Sequence, residues 1–551
     1  MEINRTLEDP FYYLANFHHV LEWIGKRYSD LLSQSEQAFV DSFPTLPQAS
    51  RALLVRMVMR KGQIFRRSKL VYTEIGCIEQ AVRPLIELGW VDDQPKVTLD
   101  QLFALLKKSE LLTTFDLEKR RPEPKKGELL ELLRPDFSNA RLFGEWCGCL
   151  NDCLYEITLT PLCDRLRLMF FGNLHQDWTE FILSDLGVYR YEKVALSDAS
   201  RGFRLRADVD DYLHLYRCRE YFQAGEPVSA ILEMLPARLN NEWLEGRRTK
   251  LLFEIGQACE QAGELLQALD IYQGCAYPGA RIRMLRILER TECFAHAFEL
   301  AMAASQAPES EAEAQVLVRM LPRLRRKLGM PTLPRPAARA VERIDLLLPR
   351  PVEPFSVERC VQAYMMQLEA PVFYVENSLI NTLFGLLCWD AVFSDIPGAF
   401  FHPFHRAPAD FATPHFFSRR AERFEACLAQ LEKGSYKDTI RRTLRQKQGL
   451  QAPFVHWGLP EEVIELALHC LPAIHLRKWF ERILWDIKSN RTGFPDLIQF
   501  WPAEQRYRMI EVKGPGDRLQ DNQVRWLDFC VEHKMPVAVC YLQWEDTVCT
   551  M

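Results

Sequence analysis

Near its C-terminus the chain carries two apolar-rich runs, Phe494 to Trp501 and Arg506 to Val512, separated only by Pro502-Ala503-Glu504-Gln505. Runs of this kind joined by a short turn-like segment read as paired strands. Acidic residues fall at one end of the pair. Gly493-Phe494-Pro495-Asp496 opens the first run and Ile510-Glu511-Val512-Lys513-Gly514 closes the second, so a hairpin brings Asp496 and Glu511 together. Strand side chains alternate faces, which sends Glu511 and Lys513 to one side and Val512 into the core, with only the Val512 carbonyl left at the site. Two carboxylates and a carbonyl form a hard, all-oxygen set suited to one or two Mg²⁺ or Mn²⁺ ions. Phosphodiester hydrolysis needs such a set, because a cation lowers the pKa of a bound water, clamps the phosphate and stabilises the departing oxygen. A lysine beside it adds a point charge that orients the water. Pro-Asp and Glu-x-Lys also occur on solvated strand ends of unrelated proteins, so the residues alone support phosphodiester hydrolysis and no particular substrate.

The flanking residues carry more. Glu511-Val512-Lys513-Gly514-Pro515, then Asp517-Arg518-Leu519, Gln523 and Trp526-Leu527, resemble the VRR-NUC variant of the PD-(D/E)xK nuclease fold. Glu376-Asn377-Ser378-Leu379 through Trp389-Asp390, and Asp395-Ile396-Pro397-Gly398, resemble segments of the Fanconi-associated nuclease family. So do Tyr12 to Phe17, Arg60-Lys61-Gly62, Phe65-Arg66 and Ser68-Lys69-Leu70 near the N-terminus. The resemblance implies four catalytic residues, Glu376, Asp496, Glu511 and Lys513, with Glu376, Asp496, Glu511 and Val512 holding the metal. Glu376 reads as opening a helix striped by Leu379, Ile380, Leu383 and Leu387, with its carboxylate facing inward. A buried acid there requires a cation or helix N-terminal amides to offset it.

Lys488 and Arg491 before the Pro-Asp strand, and Arg518, Gln523 and Arg525 after the Glu-x-Lys strand, are candidates to hold the scissile strand, with Lys488, Arg491 and Gln523 ranked first. Such phosphate contacts position nucleic acid without reading its sequence. Eukaryotic members of the family place a further basic residue near position 522 in a pocket for a terminal 5′-phosphate. This chain has Asp521 and Asn522 there, so a tight pocket is not implied, whereas cutting guided by junction shape is.

With a net charge of −5 and a pI near 6.2, the chain has no global attraction for nucleic acid, so binding falls to local basic patches. The densest is Arg56, Arg60, Lys61, Arg66, Arg67 and Lys69 around Phe65, which suits a winged-helix-like phosphate-binding surface. Leu102 to Leu133, with Lys125-Lys126 in a basic turn between short helices, resembles a SAP module that binds duplex backbone. No apolar run is long enough to span a bilayer and no signal peptide is recognised, so membrane anchoring is not expected. The 16 cysteines lack paired CxxC spacing or scaffold density, so they read as reduced and mostly buried. Zinc at Cys147, Cys149 and Cys153 is disfavoured, and His402, His405 and His415 read as packing in a loop. Nothing matches the ubiquitin-binding finger of eukaryotic members. That points to a bacterial-type, cytoplasmic and nucleoid-associated form, or a nuclear one in a eukaryote.

Ala224-Gly225-Glu226 recurs as Ala262-Gly263-Glu264, and Gly256, Gly263, Ala268 and Tyr272 fall at tetratricopeptide-like offsets, with a weaker third copy from Ala297. Stacked helical hairpins follow, a form that commonly binds proteins. Pro331 to Pro354 reads as a linker. The expectation is a multi-domain, mainly α chain. Residues 1–205 form a helical N-terminal DNA-binding region, winged-helix/SAP-like, with the SAP-like segment at 102–133. Residues 206–345 form TPR-like helical repeats, and 346–551 a C-terminal α/β PD-(D/E)xK nuclease core. The implied activity is metal-dependent 5′-flap endonuclease and 5′-to-3′ exonuclease action on branched or flapped DNA in repair, interstrand crosslinks included, with a protein partner through the repeats and self-association on DNA also open. Two other readings stay in view: a Holliday-junction resolvase of the same fold, and an inactive DNA-binding scaffold.

Overall fold

The computed structural model describes residues 9–117, 125–148, 150–185, 187–196, 200–331, 340–351, 356–413 and 415–545. The chain divides into two compact units, Met1–Arg190 with Leu196–Val209, and Tyr191–Ala195 with Asp210–Met551. Among the described residues no helix is long and apolar enough to cross a membrane.

In the first unit, helices Tyr12–Arg27, Gln34–Ser42, Gln48–Val58 and Ile78–Glu87 bury an aromatic core in which Phe17 and Phe39 both meet Phe43, and Phe39 meets Trp90. A capping box of Ser33 and Glu36 fixes the start of the second helix. Three short strands form a sheet in the order Ile64–Arg66, Leu154–Ile157, Val91–Asp92, both pairings antiparallel. The central strand therefore comes from beyond the SAP-like segment. That segment is a separate cluster of helices Leu99–Leu105, Lys108–Thr114 and Lys126–Leu133 packed on Leu102, Phe103, Leu111, Leu129 and Trp146.

The second unit begins with stacked helices. In the repeat, Glu242–Ala262 packs on Leu265–Gln273, and a Cβ at Gly256 would lie 2.6 Å from the Tyr272 ring. Only glycine permits that approach. Helices Ala280–Arg290, Phe294–Gln306 and Glu311–Lys327 continue the stack.

Beyond it lies a five-stranded sheet in the order Glu342–Leu348, Val537–Trp544, Arg506–Lys513, Leu497–Trp501, Val372–Tyr374. Val537–Trp544 runs parallel to both its neighbours, and the remaining pairings are antiparallel. The hairpin is as expected, with Leu497 opposite Ile510. The stretch from Pro331 to Pro354 is not simply a linker. Its apolar alternation at Ile344, Leu346 and Leu348 makes Glu342–Leu348 an edge strand, and the expected boundary at 345/346 falls inside it. Between Glu376 and the Pro-Asp strand, the chain inserts helices Leu379–Leu387, Ala421–Lys433, Tyr436–Lys447, Glu461–Cys470 and Ala473–Trp485. Every residue of Leu379–Leu387 is buried.

Candidate active site

Continuing the hairpin register by one residue sets Asp496 opposite Glu511, because Leu497 pairs with Ile510. Val512 turns away into the core with Val361, Val372, Leu497 and Ile510, leaving Glu511 and Lys513 on the Asp496 side. All three polar side chains are nearly sealed from water: Asp496 is 6 % exposed, Glu511 0 % and Lys513 7 %. One oxygen of Asp496 accepts the Val512 N–H at 2.8 Å, and its backbone carbonyl accepts Val375 N–H at 2.8 Å. Lys513 Nζ forms an ion pair with Glu511 Oε1 at 2.7 Å, while Glu511 Oε2 is buried without a hydrogen-bonding partner.

A buried carboxylate in that state is costly. Burial, reinforced by the Asp496 charge and only partly offset by Lys513, pushes the Glu511 carboxyl up to about 8. Burial likewise pushes Asp496 up to about 6, with the Val512 N–H opposing and Glu376 adding to the rise. Two buried carboxyl groups side by side, one with a free oxygen and a lysine on the other, are the donor chemistry a hard divalent cation satisfies.

Glu376 departs from expectation in two respects. It is exposed, and it precedes the helix Leu379–Leu387 rather than opening it. The apolar stripe points inward, but Glu376 stands two residues before the Ser378 N-cap, where helical spacing no longer dictates its direction. Its carboxylate accepts from the Tyr374 hydroxyl and, at 3.1 Å, from Asn377 Nδ2. Among the described residues no group of three His, Cys, Asp or Glu side chains is close enough to hold a metal, so Glu376 does not join Asp496 and Glu511 at ligand distance. Its charge nevertheless reaches both.

Sequence reasoning missed Glu358. It stands in the first turn of the helix Val357–Met365, capped by Ser356, and its charge also raises Asp496. A Ser-Val-Glu helix start was the available signal. Tyr374 was missed as well. Its hydroxyl titrates far above the ordinary range through burial and the Glu376 and Asp496 charges.

The helix Asp521–Glu532 seats the segment leading into the Pro-Asp strand. Trp526 stacks on Phe494 with ring centres 4.0 Å apart and donates to the Thr492 carbonyl at 3.0 Å. Asp521 is held by both Arg319 amino groups, at 2.7 and 2.6 Å. The Gln523 side chain accepts the Gln520 N–H at 2.8 Å in a capping box, so its carbonyl is engaged in capping. Arg525 donates to Gln315 at 2.7 Å, while Arg491 and Arg518 are exposed. Lys488 is exposed too, lying 3.2 Å from the Tyr277 hydroxyl.

The N-terminal basic stretch needs correction. Arg66 is 6 % exposed and is bound by Asp152 at 2.9 Å and Glu110 at 2.8 Å, so its charge is neutralised internally. Arg56 pairs with Glu74 at 2.7 Å and stacks on the Tyr13 ring at 3.8 Å. Arg67 meets Glu79 at 3.1 Å, and Arg60 donates to the Lys69 carbonyl at 3.2 Å. Lys61 and Lys69 remain exposed. Lys125 is exposed, whereas Lys126 Nζ donates to the Leu106 carbonyl at 2.8 Å. His402 and His405 pack ring to ring at 4.1 Å within their loop, and burial lowers His405 to about 4. Cys149 lies outside the described residues, and Cys147 is buried.

Comparison with known proteins places these features in a family context. Residues 11–92 match the family "FAN1, HTH domain", 96–146 the "Fanconi anemia-associated nuclease SAP domain" and 431–544 the "VRR-NUC domain". The chain is 58 % identical to a Fanconi-associated nuclease 1 homolog of Pseudomonas aeruginosa, over 98 % of this chain and 97 % of that one. It is 25 % identical to a Fanconi-associated nuclease 1 homolog of Oryza sativa, over 96 % of this chain and 62 % of the relative. Among solved structures it is similar to paFAN1 bound to 5′-flap DNA with a 2-nucleotide flap and a gap. The TM-score is 0.96 at 58 % identity, covering 98 % of this chain and 100 % of that one.

Proposed function

The chain belongs to the Fanconi-associated nuclease family, and from that premise we propose that it is a structure-selective, metal-dependent nuclease that incises 5′-flap DNA and degrades DNA from 5′ to 3′. Its role would be repair, including of interstrand crosslinks. The observation that carries the chemical part is the Glu511 carboxyl group, fully buried beside Asp496, with one oxygen paired to Lys513 and the other without a partner.

In this reading Asp496, Glu511 and the Val512 carbonyl would hold Mg²⁺ or Mn²⁺, one or two ions, with Glu376 turning in from the rim. Such a cation, when bound, supplies an acidified water and charge stabilisation of the phosphoryl oxygens. The chain's own residues do the rest. The Val512 N–H fixes one Asp496 oxygen and so orients the carboxylate. Lys513, held beside Glu511, carries a positive charge where negative charge accumulates, and its Nζ can orient the attacking water. The low water content around the trio strengthens these interactions. Exposed Lys61, Lys69, Lys125, Lys488, Arg491 and Arg518 are proposed phosphate contacts. A protein partner on the helical repeats, self-association on DNA and a cytoplasmic, nucleoid-associated location complete the reading.

The test is cleavage of end-labelled 5′-flap, 3′-flap, single-stranded and four-way-junction DNA with Mg²⁺, Mn²⁺ or EDTA, by wild type and Asp496→Ala. Metal-dependent 5′-flap incision lost in the variant is expected. Preferential cutting of the four-way junction would replace the flap assignment, and cutting retained by Asp496→Ala would sink the site.

A further inference from the structure

The joint between Glu376 and the Pro-Asp strand turns on one residue that the catalytic set leaves out. Asn377 has φ +52°, in the left-handed region that non-glycine residues seldom occupy and that Asn tolerates best. Its side chain is used at both ends. Oδ1 accepts the N–H of Gly493 at 2.8 Å and of Phe494 at 3.2 Å, and Nδ2 donates to Glu376 at 3.1 Å. Its backbone carbonyl accepts Asn381 Nδ2 at 2.7 Å, and the same amide reaches the Arg491 carbonyl at 2.8 Å. The opposite side of the joint is equally constrained: Gly493 has φ +92°, and a Cβ there would sit 2.9 Å from Asn522 Nδ2. Two stretches more than a hundred residues apart, one carrying Glu376 and the other leading into Asp496, are already joined by strand pairing and by Val375 N–H to the Asp496 carbonyl, and the Asn377 side chain is what ties the Glu376 carboxylate itself into that joint. Backbone held in a sparsely populated region persists where surrounding contacts over-determine it.

We propose that Asn377 is a positioning residue, which sets where the Glu376 carboxylate stands relative to Asp496 and Glu511 and so tunes metal capture. The inference rests on the metal site proposed above. No other side chain performs both halves of the task. Aspartate keeps the acceptor for Gly493 and Phe494 but sets a charge against Glu376. Glycine keeps the left-handed backbone and loses both contacts.

The experiment measures Mn²⁺ binding to the full-length protein without DNA, by the fall in the free-ion electron paramagnetic resonance signal, alongside flap cleavage against Mn²⁺ concentration and flap affinity. Wild type, Asn377→Gly, Asn377→Asp and Glu511→Gln are compared. Groups that orient metal ligands typically change metal affinity about 10- to 100-fold when removed. Asn377→Gly is therefore expected to weaken Mn²⁺ binding about tenfold or more and to shift the cleavage midpoint in parallel, with flap affinity unchanged. Asn377→Asp is expected to alter the midpoint while matching the wild-type melting temperature, which separates the Glu376 contact from the backbone contacts. Glu511→Gln that binds Mn²⁺ like wild type would bring down the metal site and this inference with it. Binding lost in Glu511→Gln but unchanged in Asn377→Gly would overturn the inference alone, as would a glycine variant whose melting temperature falls while its metal midpoint stays put.

Discussion

Two clusters of charge stand out in this chain, and they are built on opposite principles. The N-terminal basic stretch commits half of its six charges to acids of its own unit: Arg66 to Asp152 and Glu110, Arg56 to Glu74, Arg67 to Glu79. The C-terminal acids are left short of partners: Glu511 and Asp496 are both buried on one face with Lys513 as the one neighbouring cation, and Glu511 Oε2 has no hydrogen bond. A run of arginines is therefore a poor guide to a binding surface, because guanidinium groups readily find carboxylates on folding. Buried acids held together with too few partners, their protonation shifted by burial, mark the place where a ligand is expected.

The sharpest way to break this contrast is at Glu511. Glu511→Gln is expected to lower flap cleavage by about two to three orders of magnitude or more, the scale on which single electrostatic groups act in active sites, measured as single-turnover incision with Mg²⁺. Residual activity within tenfold of wild type would mean that the buried acid serves packing rather than chemistry.

Arg66 should behave as the opposite case. Arg66→Ala strands Asp152 and Glu110, and removing one partner of a buried pair costs about 3–5 kcal/mol, read as a loss of unfolding free energy in urea. Weakened DNA binding with undiminished stability would return Arg66 to the binding surface.

A third expectation concerns pH. The Glu511 carboxyl stands at about 8 in the folded chain against an ordinary 4.5, so its contribution to stability is fully present below about 4.5 and is lost as pH rises through about 8. Asp496 adds the same trend from its ordinary 3.8 up to about 6. The metal-free protein should thus lose stability on the order of a few kcal/mol between pH 5 and pH 8.5 through these two groups, and Glu511→Gln should flatten most of that slope. Because a cation binds the ionised forms, the rise in melting temperature on adding Mn²⁺ should grow across this window and level off above it. A rise independent of pH would place the ion elsewhere.

The smallest effect belongs to the exposed lysines. Lys61→Ala and Lys69→Ala should leave stability unchanged within about 0.5 kcal/mol. Each is expected to reduce the slope of log affinity against log salt by about 0.9, the value of one phosphate contact. Unchanged slopes would deny the N-terminal stretch any direct part in holding DNA.

The hairpin and its acids were legible in advance because strand alternation and a short turn are local: Leu497 pairs with Ile510 as the pattern requires, and Val512 turns inward. The tetratricopeptide-like stack was legible for the same reason, through small residues such as Gly256 spaced against Tyr272. Glu376 was harder. Its residue type and place in the chain were readable, but its direction was not, because it lies just before the helix whose periodicity seemed to govern it. The strand Glu342–Leu348 was hidden by flanking prolines, and the sheet of the first unit is completed by Leu154–Ile157, which no local pattern links to Ile64–Arg66.

Most elements, the helical repeat and the identity of the acids could be read from the chain alone, since periodicity, turn chemistry and residue type act over a few neighbours. Which charges are neutralised, and which acids are buried short of partners, emerges from folding in three dimensions. Burial and pairing depend on residues brought from far along the chain, as when Asn377 meets Gly493, or when Asp152 and Glu110 close on Arg66.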